Sequence, residues 1–559
     1  MKNIIKAFVI ASAAILFAGC IKETFPQGST QTAAQVASST DAMINGMSYP
    51  MMASGFLGYL KNYDDHTDFG LPGVHFRTEL MLEDLVTAGP NPYYNRGYAY
   101  ALNQAQGETY IYCSYFWDAY YTFIKSANDI INVIDPETAD ESAILNLGKA
   151  YVQRAMCYLD LARLFEPKEN KYTDVSSVLG LTVPIVTEKT TEQEAMNNPR
   201  AKREDMYEFI LKDLDKAEEY FGETKMITYL QPSLAAAYGL KARAYLEMGY
   251  WKEGGDKEMF AKAYEYADLA ITASGKTPLT QAQWEDPANG FNNGAANNAW
   301  IWGLSLSSEN QENIITFTSH MSPEATWGYC GLSQMSIAKR LYEKIPDNDF
   351  RKHSYLDPEY IADPDNFTKW QYKWAVNAEQ LHTLQVGKTG ECFALIPYQA
   401  IKFRPAQGEC SDFSVGNCAD HPIMRVEEMW FIKMEALAGQ GKISDACALL
   451  NEFMENRITD KSYSCSVSSQ KAFINEMMLQ KRIEFWGEGI LFYDYKRLDM
   501  GITQGYEGTN QAPVYCFNTD GRSPQWNIVI TRGEFQSNKG ITTATNNPDP
   551  SDKVTQWSN

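Results

Sequence analysis

The sequence feature that most constrains the fold is a helical spacing of apolar residues that recurs in several long blocks. The clearest block contains apolar residues at intervals of three and four, namely Leu147, Tyr151, Ala155, Tyr158, Ala162 and Phe165. This spacing places the side chains on one face of an amphipathic helix, and Pro167 ends the pattern. A second helical block occupies residues 112–134. Together the two blocks predict a pair of packed helices.

Similar blocks return later in the chain. They occupy residues 206–214, 234–246, 260–271, 426–437 and 446–453. Ser444 is the predicted N-cap of the last block, because a serine hydroxyl can accept a bond from an orphan helix N–H. Alanine where helices cross, with tyrosine or leucine between, is typical of tetratricopeptide-like helix pairs of about 34 residues. We therefore predict a mostly α fold with a helical scaffold over about 108–275 and 423–500.

A long loop-rich insertion is predicted between these two parts of the scaffold, over about residues 276–420. It is rich in Gly, Asn, Trp and Pro, and it contains one predicted strand over residues 298–306. Trp300 and Trp302 alternate in that strand, so we assign both to the core. Long irregular segments on a rigid scaffold often contain binding sites. At 559 residues the chain has room for several domains, but its repeats predict a single body over 41–559.

The N-terminus predicts export and lipid attachment. Lys2 and Lys6 precede an apolar run over residues 7–18, which suits a secretory signal and is shorter than the roughly 20 residues of a membrane span. The run ends in Phe17-Ala18-Gly19-Cys20, which is similar to a lipobox, although leucine is more usual than Phe17. We predict a signal peptide over 1–19, lipid on Cys20 that attaches the chain to a membrane, and a polar tether over 20–40.

Composition excludes several classes of function. The net charge of -21 argues against nucleic-acid binding. Six scattered histidines and ten cysteines without a C-x-x-C pair predict no zinc site, and no nucleotide or hydrolase motif is present, so no cofactor is predicted. Cys410 and Cys418 are the nearest cysteines in sequence and could bridge a loop, but burial as small apolar side chains is favoured.

The C-terminal region resembles the signature of the SusD/RagB family of outer-membrane nutrient-binding lipoproteins. The resemblance lies in Arg482-Ile483-Glu484-Phe485-Trp486-Gly487-Glu488-Gly489 and in the following Ile490-Leu491-Phe492-Tyr493-Asp494-Tyr495-Lys496-Arg497. The matching positions are Glu484, Glu488, Gly489, Asp494 and Arg497. Leu491 and Leu498 stand where the family usually has arginine and tryptophan, which predicts a divergent member.

Further segments resemble the family in the same order along the chain. They are residues 154–165, 183–186, 242–246, 425–428 and 527–548. The resemblance implies a single helical body, lipid-anchored at the outer face of the outer membrane in Bacteroidetes. It also implies a SusC-like TonB-dependent transporter as partner. Such proteins form a lid over the transporter and pass it glycans or, in the RagB branch, peptides.

The carboxylates of the C-terminal motif allow two interpretations. Glu484, Glu488 and Asp494 could act as paired catalytic carboxylates, since glycosidases need two beside the scissile bond. Arg482, Lys496 and Arg497 share the motif, however, and buried carboxylates need partners of opposite charge. We therefore predict that the motif is structural and contains no catalytic residue.

Aromatic loop residues are the predicted ligand contacts. The first group is Tyr93, Tyr94 and Tyr98 with Arg96, and the second is Trp284, Trp327 and Tyr329. Aromatic faces stack on sugar rings, but they also pack loops onto a scaffold. The predicted function is non-catalytic capture of an oligosaccharide for delivery to the transporter. The alternatives are a peptide ligand, a surface glycoside hydrolase and a scaffold that binds only protein.

Overall fold

The computed structural model describes residues 40–56, 66–88, 106–358 and 396–558, apart from residues 287, 289, 290, 296, 312, 313, 326 and 332. Within these ranges the chain forms seventeen α-helices and four short β-strands. The helices are α1 Thr40–Met52, α2 Leu71–Leu80, α3 Ile111–Val133, α4 Glu141–Phe165, α5 Glu192–Ala195, α6 Arg203–Phe221, α7 Leu234–Gly249, α8 Lys257–Ser274, α9 Gln281–Glu285, α10 Phe317–Met321, α11 Lys339–Tyr342, α12 Phe413–Gly416, α13 Val426–Gly439, α14 Ile443–Met454, α15 Gln470–Glu484, α16 Leu491–Arg497 and α17 Arg532–Ser537. The prediction of a mostly α fold is confirmed.

The four strands form two antiparallel pairs. Strand β1 (Leu85–Ala88) pairs with β3 (Gln334–Ile337), and β2 (Trp300–Leu304) pairs with β4 (His421–Arg425). The predicted strand over 298–306 is therefore present as β2. Trp300 and Trp302 are 0% and 1% exposed, which confirms their assignment to the core.

The long helices pack as a continuous series. Helix α4 lies between α3 and α6, α6 contacts α7, α7 packs against α8, and α8 packs against α13. Helix α13 then contacts both α14 and α15. Small residues such as Ala155, Ala162, Ala263 and Ala267 are fully buried in these helices, so neighbouring backbones approach closely. This arrangement confirms the predicted tetratricopeptide-like helix pairs.

Local chemistry explains where these helices begin and end. The Asp140 carboxylate accepts bonds from the N–H groups of Ser142 and Ala143 at the start of α4. The same helix ends just before Pro167, as predicted. The helix α14 is present as predicted, but its predicted N-cap at Ser444 was wrong, because the N-cap residue is Lys442, which makes no side-chain cap bond. Ser444 instead lies inside the first turn of the helix.

The insertion between the two parts of the scaffold is built from short elements. Its strands β2 and β3 pair with β4 and β1, so the insertion joins segments far apart in sequence. One hydrophobic core contains residues from Met51 to Val554, with members from both parts of the scaffold and from the insertion. The proposed boundaries of signal, tether and body stay predictions. Among the described helices, none combines the length and apolarity needed to cross a membrane.

Candidate functional site

The C-terminal motif forms a buried ionic cluster at the end of α15. Glu484 is 0% exposed, and its carboxylate lies 2.9 Å from Arg457 Nε. It also lies 3.3 Å from Arg351 Nη1 and 3.4 Å from Arg425 Nη1. Burial alone would raise the pKa of Glu484, but the positive charges of Arg457, Arg425 and Arg351 outweigh it and hold the pKa well below its usual range.

Glu488 has its own cationic partners. Its carboxylate lies 2.7 Å from Lys402 Nζ and 2.8 Å from Arg425 Nε. The Lys402 ammonium also donates to the carbonyl oxygens of Glu484 and Trp486, at 2.9 Å each. All hydrogens of this ammonium are therefore used inside the protein. Glu488 is only 4% exposed, so a glycan on the surface does not reach this carboxylate.

A glycine turn connects α15 to α16, and Glu79 of α2 holds it. The two Glu79 oxygens accept the backbone N–H groups of Gly487 and Gly489, at 3.0 Å each. Gly489 has φ of +77°, and a Cβ there would lie 2.4 Å from the Cα of His75. No side chain fits such a position. Gly489 is therefore required by both its conformation and its packing.

Asp494 and Arg497 join the motif to the repeat helices. Asp494 lies 2.8 Å from Lys481 Nζ, and Arg497 Nη2 donates to Asp494 at 2.6 Å. Arg497 also pairs with Glu247 of α7 and Glu435 of α13. The ion pairs thus link α16 to α15 and to the more distant helices α7 and α13.

This geometry agrees with the predicted structural role of the motif. Most of the predicted ion pairs within the motif are not formed. Arg482 pairs with Asp84 and Glu83 near β1, and Lys496 donates to the carbonyl oxygen of Leu164. Of the three predicted cations, only Arg497 pairs with a predicted carboxylate in the described chain. The remaining partners come from outside the motif, which a local sequence pattern does not reveal.

The predicted aromatic contacts fall partly outside the described chain. Tyr93, Tyr94, Arg96 and Tyr98 lie outside the described residues. Trp284 is 5% exposed, and its indole N–H donates to Ser354 Oγ at 2.7 Å. Its ring packs against the rings of Phe291 and Phe350. This placement is typical of a packing residue, and contact of Trp284 with a ligand stays a prediction.

Tyr329 and Trp327 have other direct neighbours than Trp284, although Tyr329 belongs to the same hydrophobic core. Tyr329 is 6% exposed; its hydroxyl lies 2.7 Å from His66 Nδ1, and its ring centroid lies 4.7 Å from that of His320. Trp327 is half-buried, and its ring packs against Gly416 of α12. Phe413, at the start of α12, is 43% exposed. We call Trp327 and α12 the Trp327 surface.

A large open groove runs along α3 on another part of the molecule. Its volume is about 980 Å³, within the usual range for ligand pockets. We call it the α3 groove; its apolar lining is Phe56, Trp117, Tyr121, Pro184, Val186 and Met196. Phe56 is 45% exposed and Met196 is 49% exposed. The groove therefore combines accessible apolar groups with a volume that fits several sugar rings or a short peptide.

Polar contacts fix the aromatic residues of the α3 groove. The Tyr121 hydroxyl donates to the carbonyl oxygen of Pro184 at 2.7 Å, and the ring centroids of Trp117 and Tyr121 are 4.7 Å apart. Glu534 of α17 accepts hydrogen bonds from Asn538 and Trp117, while burial raises its pKa. The rings are thus held by segments from three parts of the chain. Asp118, Lys125 and Gln536 add polar groups to the lining.

Sequence reasoning missed this groove. The available signal was the pairing of Trp117 and Tyr121 with Asp118 and Lys125 in α3, which puts aromatic and charged residues four apart on one helix. That pattern is equally typical of a helix packed by its aromatic face. The walls formed by residues 184–198 and 534–539 come together only in the folded chain.

A second cavity, of about 550 Å³, lies between α4, α6 and α7. It is lined by charged residues that pair with one another, including Arg203 with Glu166 at 3.2 Å and Arg497 with Glu247 at 3.0 Å. Because these positive and negative charges neutralise one another, the cavity favours neither an anionic nor a cationic ligand. The α3 groove and the Trp327 surface are therefore the candidate ligand sites in the described chain.

Two family models match the sequence. The model described as "Starch-binding associating with outer membrane" matches residues 78–246. The model described as "SusD family" matches residues 402–556. The first range contains α3, α4 and α6, and the second contains the complete C-terminal motif.

A curated relative matches a smaller part of the chain. It is a SusD-like protein of Bacteroides ovatus, 23% identical over 170 residues. The match covers 29% of this chain and 28% of the relative. The chain therefore aligns with less than a third of the length of that relative.

Solved structures with a similar fold cover nearly the whole chain. A SusD-like carbohydrate-binding protein from Bacteroides vulgatus has a TM-score of 0.67 at 19% identity, over 91% of this chain and 98% of its own. A surface glycan-binding protein from Bacteroides thetaiotaomicron, solved with laminarihexaose, has a TM-score of 0.61 at 16% identity, over 91% and 98%. At such identities the likeness shows the fold.

Proposed function

This chain belongs to the SusD/RagB family as a divergent member, and we propose that it captures an oligosaccharide at the cell surface. In this proposal the lipid on Cys20 attaches the chain to the outer membrane, facing outward. A SusC-like TonB-dependent transporter then receives the ligand. The tether raises the local concentration of the binding protein beside its transporter.

The observation that carries the proposal is the α3 groove. A neutral sugar presents C–H faces that stack on aromatic rings and hydroxyls that need hydrogen-bond partners. The groove has accessible apolar groups at Phe56 and Met196 and polar groups at Asp118 and Gln536. The Trp327 surface is the second candidate position, and Tyr93, Tyr94, Arg96 and Tyr98 stay predicted contacts outside the described residues.

We propose that the protein is not a glycosidase. The three motif carboxylates considered as catalytic pairs, Glu484, Glu488 and Asp494, are 0%, 4% and 4% exposed and are bound by arginine or lysine. A glycosidase acid must carry a proton near neutral pH, whereas the pKa of Glu484 is held low. Release of reducing sugar by the purified chain would contradict this part of the proposal.

Calorimetric titration of the purified chain with a panel of oligosaccharides and peptides tests the ligand. Saturable binding of an oligosaccharide is the expected result. Binding of peptides alone would support the RagB-like alternative, and binding of neither class would favour a scaffold that binds only protein.

Two matched variants locate the site. Phe56→Ala and Phe413→Ala each remove one phenylalanine ring, of 45% and 43% exposure. We expect Phe56→Ala to weaken oligosaccharide binding about fivefold, since a lost stacking contact costs roughly 1 kcal/mol. Phe413→Ala should leave the affinity unchanged. If Phe413→Ala or Trp327→Ala weakens oligosaccharide binding and Phe56→Ala does not, the site lies at the Trp327 surface.

The transporter and the anchor need separate tests. Solubilised membranes should yield this chain together with a TonB-dependent barrel. A Cys20→Ala variant should lose its attachment to the outer membrane while the folded body keeps its affinity for the oligosaccharide. Recovery of the variant in the membrane fraction would argue against the lipid anchor.

A further inference from the structure

Two cysteine side chains meet between α14 and the segment that follows it. Cys447 lies on α14, and Cys465 lies in the irregular segment before α15. Their Sγ atoms are 3.5 Å apart. Among the eight described cysteines, these are the two whose sulfur atoms are in contact.

Asn451 brings the two cysteines together. It follows Cys447 by four residues on α14, so both side chains share one face of the helix. Its side-chain oxygen accepts the backbone N–H of Cys465 at 2.7 Å, and its amide donates to the carbonyl oxygen of Cys465 at 3.1 Å. The backbone of Cys465 is thereby held beside the helix turn that carries Cys447. These two hydrogen bonds therefore place the sulfur of Cys465 in contact with the sulfur of Cys447.

The surroundings suit a covalent cross-link better than a reactive thiol. Cys447 and Cys465 are each 6% exposed. Burial raises the pKa of Cys465 to about 11, so its thiolate is scarce at neutral pH. A catalytic or metal-binding cysteine needs the thiolate at rest, whereas disulfide formation needs it only transiently, during exchange. The two sulfur atoms, 3.5 Å apart, need to approach by only about 1.5 Å to reach the bonded distance of about 2.05 Å.

We propose that Cys447 and Cys465 form a disulfide after the chain is exported. The predicted signal peptide over 1–19 would deliver the chain to an oxidising compartment, where such bonds persist. The bond would close residues 447–465 into a loop and fix the irregular segment between α14 and α15. Helix α15 ends in Glu484, so the cross-link lies one helix away from the buried ionic cluster.

The chemistry requires an external disulfide. One thiol loses its proton and attacks a disulfide donor, which forms a mixed disulfide and releases one donor thiol. The second cysteine thiolate then attacks the mixed disulfide at the protein sulfur. This step forms the bond between Cys447 and Cys465 and releases the second donor thiol. The protein loses two hydrogen atoms, and the donor is reduced to two thiols.

Peptide mapping of the full chain tests the proposal. The purified protein is treated with oxidised glutathione, the remaining thiols are alkylated, and the denatured chain is digested with trypsin without reductant. Cleavage after Lys442, Arg457, Lys461 and Lys471 gives peptides 443–457 and 462–471, each with one cysteine. We expect these two peptides as one cross-linked species, which separates on reduction.

Variants control for the position of the bond. Cys516→Ser removes a thiol whose sulfur contacts backbone carbonyl oxygens, and it should leave the cross-link intact. Asn451→Ala should slow cross-linking, because Cys465 loses its anchor. Recovery of wild-type peptides 443–457 and 462–471 as separate alkylated species would overturn the proposal. Glutathione on only one cysteine, or a link to another cysteine, would overturn it as well.

Discussion

At the scale of single residues, Glu484 shows how this fold accommodates charge in its interior. One carboxylate faces Arg351, Arg425 and Arg457, and all four side chains are no more than 1% exposed. Removing charges from water is costly, and attraction between close opposite charges offsets the cost only when each charge keeps its partners. The glutamate of the family motif therefore acts as the common acceptor for three guanidinium groups.

Glu484→Gln should destabilise the protein strongly. The amide leaves three buried guanidinium groups without their shared negative charge, which costs about 3–5 kcal/mol of unfolding free energy. Urea unfolding followed by circular dichroism measures the loss. Glu219→Gln is the matched control, because Glu219 pairs with Lys216 at 3.0 Å while both side chains are at least 50% exposed. That variant should lose at most about 1 kcal/mol. Similar midpoints for both variants would contradict the structural role of Glu484.

At the scale of elements, the helices α7, α8 and α13 meet where the backbone of two glycines lies close to the ring of Phe260. Phe260 of α8 is 1% exposed. A Cβ on Gly249, the last residue of α7, would lie 2.4 Å from this ring, and one on Gly439, the last of α13, would lie 2.5 Å from it. Gly249 and Gly439 thus border one buried aromatic ring, so a methyl group added to either would displace the ring or the helices.

Gly439→Ala should therefore destabilise the scaffold. The methyl group overpacks the junction, and overpacking a filled core costs about 1–3 kcal/mol, although alanine is the better helix former. Gly533→Ala in α17 is the control, since a Cβ there meets only Thr531 Oγ1 at 3.9 Å. Thermal unfolding should show a lower midpoint for Gly439→Ala and an equal or higher midpoint for Gly533→Ala. An unchanged midpoint for Gly439→Ala would show that the helices can move apart.

At the scale of the whole molecule, buried carboxylates make stability depend on pH in two opposite ways. Burial raises the pKa of Glu79 from 4.5 to about 7. Its contribution to stability is complete below pH 4.5 and is lost as the pH rises to about 7. The lowered pKa of Glu484 acts in the opposite direction, so its contribution is complete above pH 4.5 and is lost in acid.

Stability should therefore rise from neutral towards mildly acidic solution, and the lowered pKa values of the buried His75 and His421 offset part of this rise. Urea midpoints measured from about pH 3 to about pH 8 should rise as the pH falls from 8 towards 5 and then decrease in stronger acid. Glu79→Gln removes the titrating group, so the rise between pH 8 and pH 5 should become smaller. Glu219→Gln should keep the full rise. An equal rise in Glu79→Gln and in the wild type would assign the effect to other groups.

The sequence by itself determined the local structure of this protein. Leu147, Tyr151 and Ala155 follow one another at intervals of four, and all three lie in α4. Each of the other blocks with this helical spacing also forms a helix in the described chain. The order of short motifs, ending in Glu484 to Arg497, identified the family. Both signals are local, because helix formation depends on residues a few positions apart and a motif is a run of neighbours.

Only the tertiary structure decided which side chains meet. Glu484 pairs with Arg351, Arg425 and Arg457. The indole N–H of the buried Trp284 donates to Ser354 Oγ. The α3 groove combines Phe56 with residues 117–125, 184–198 and 534–539. Burial and charge pairing depend on segments that are distant in sequence, so a pattern along the chain does not specify them. The contact between Cys447 and Cys465 also needs the folded chain, since the bonds of Asn451 to the backbone of Cys465 create it.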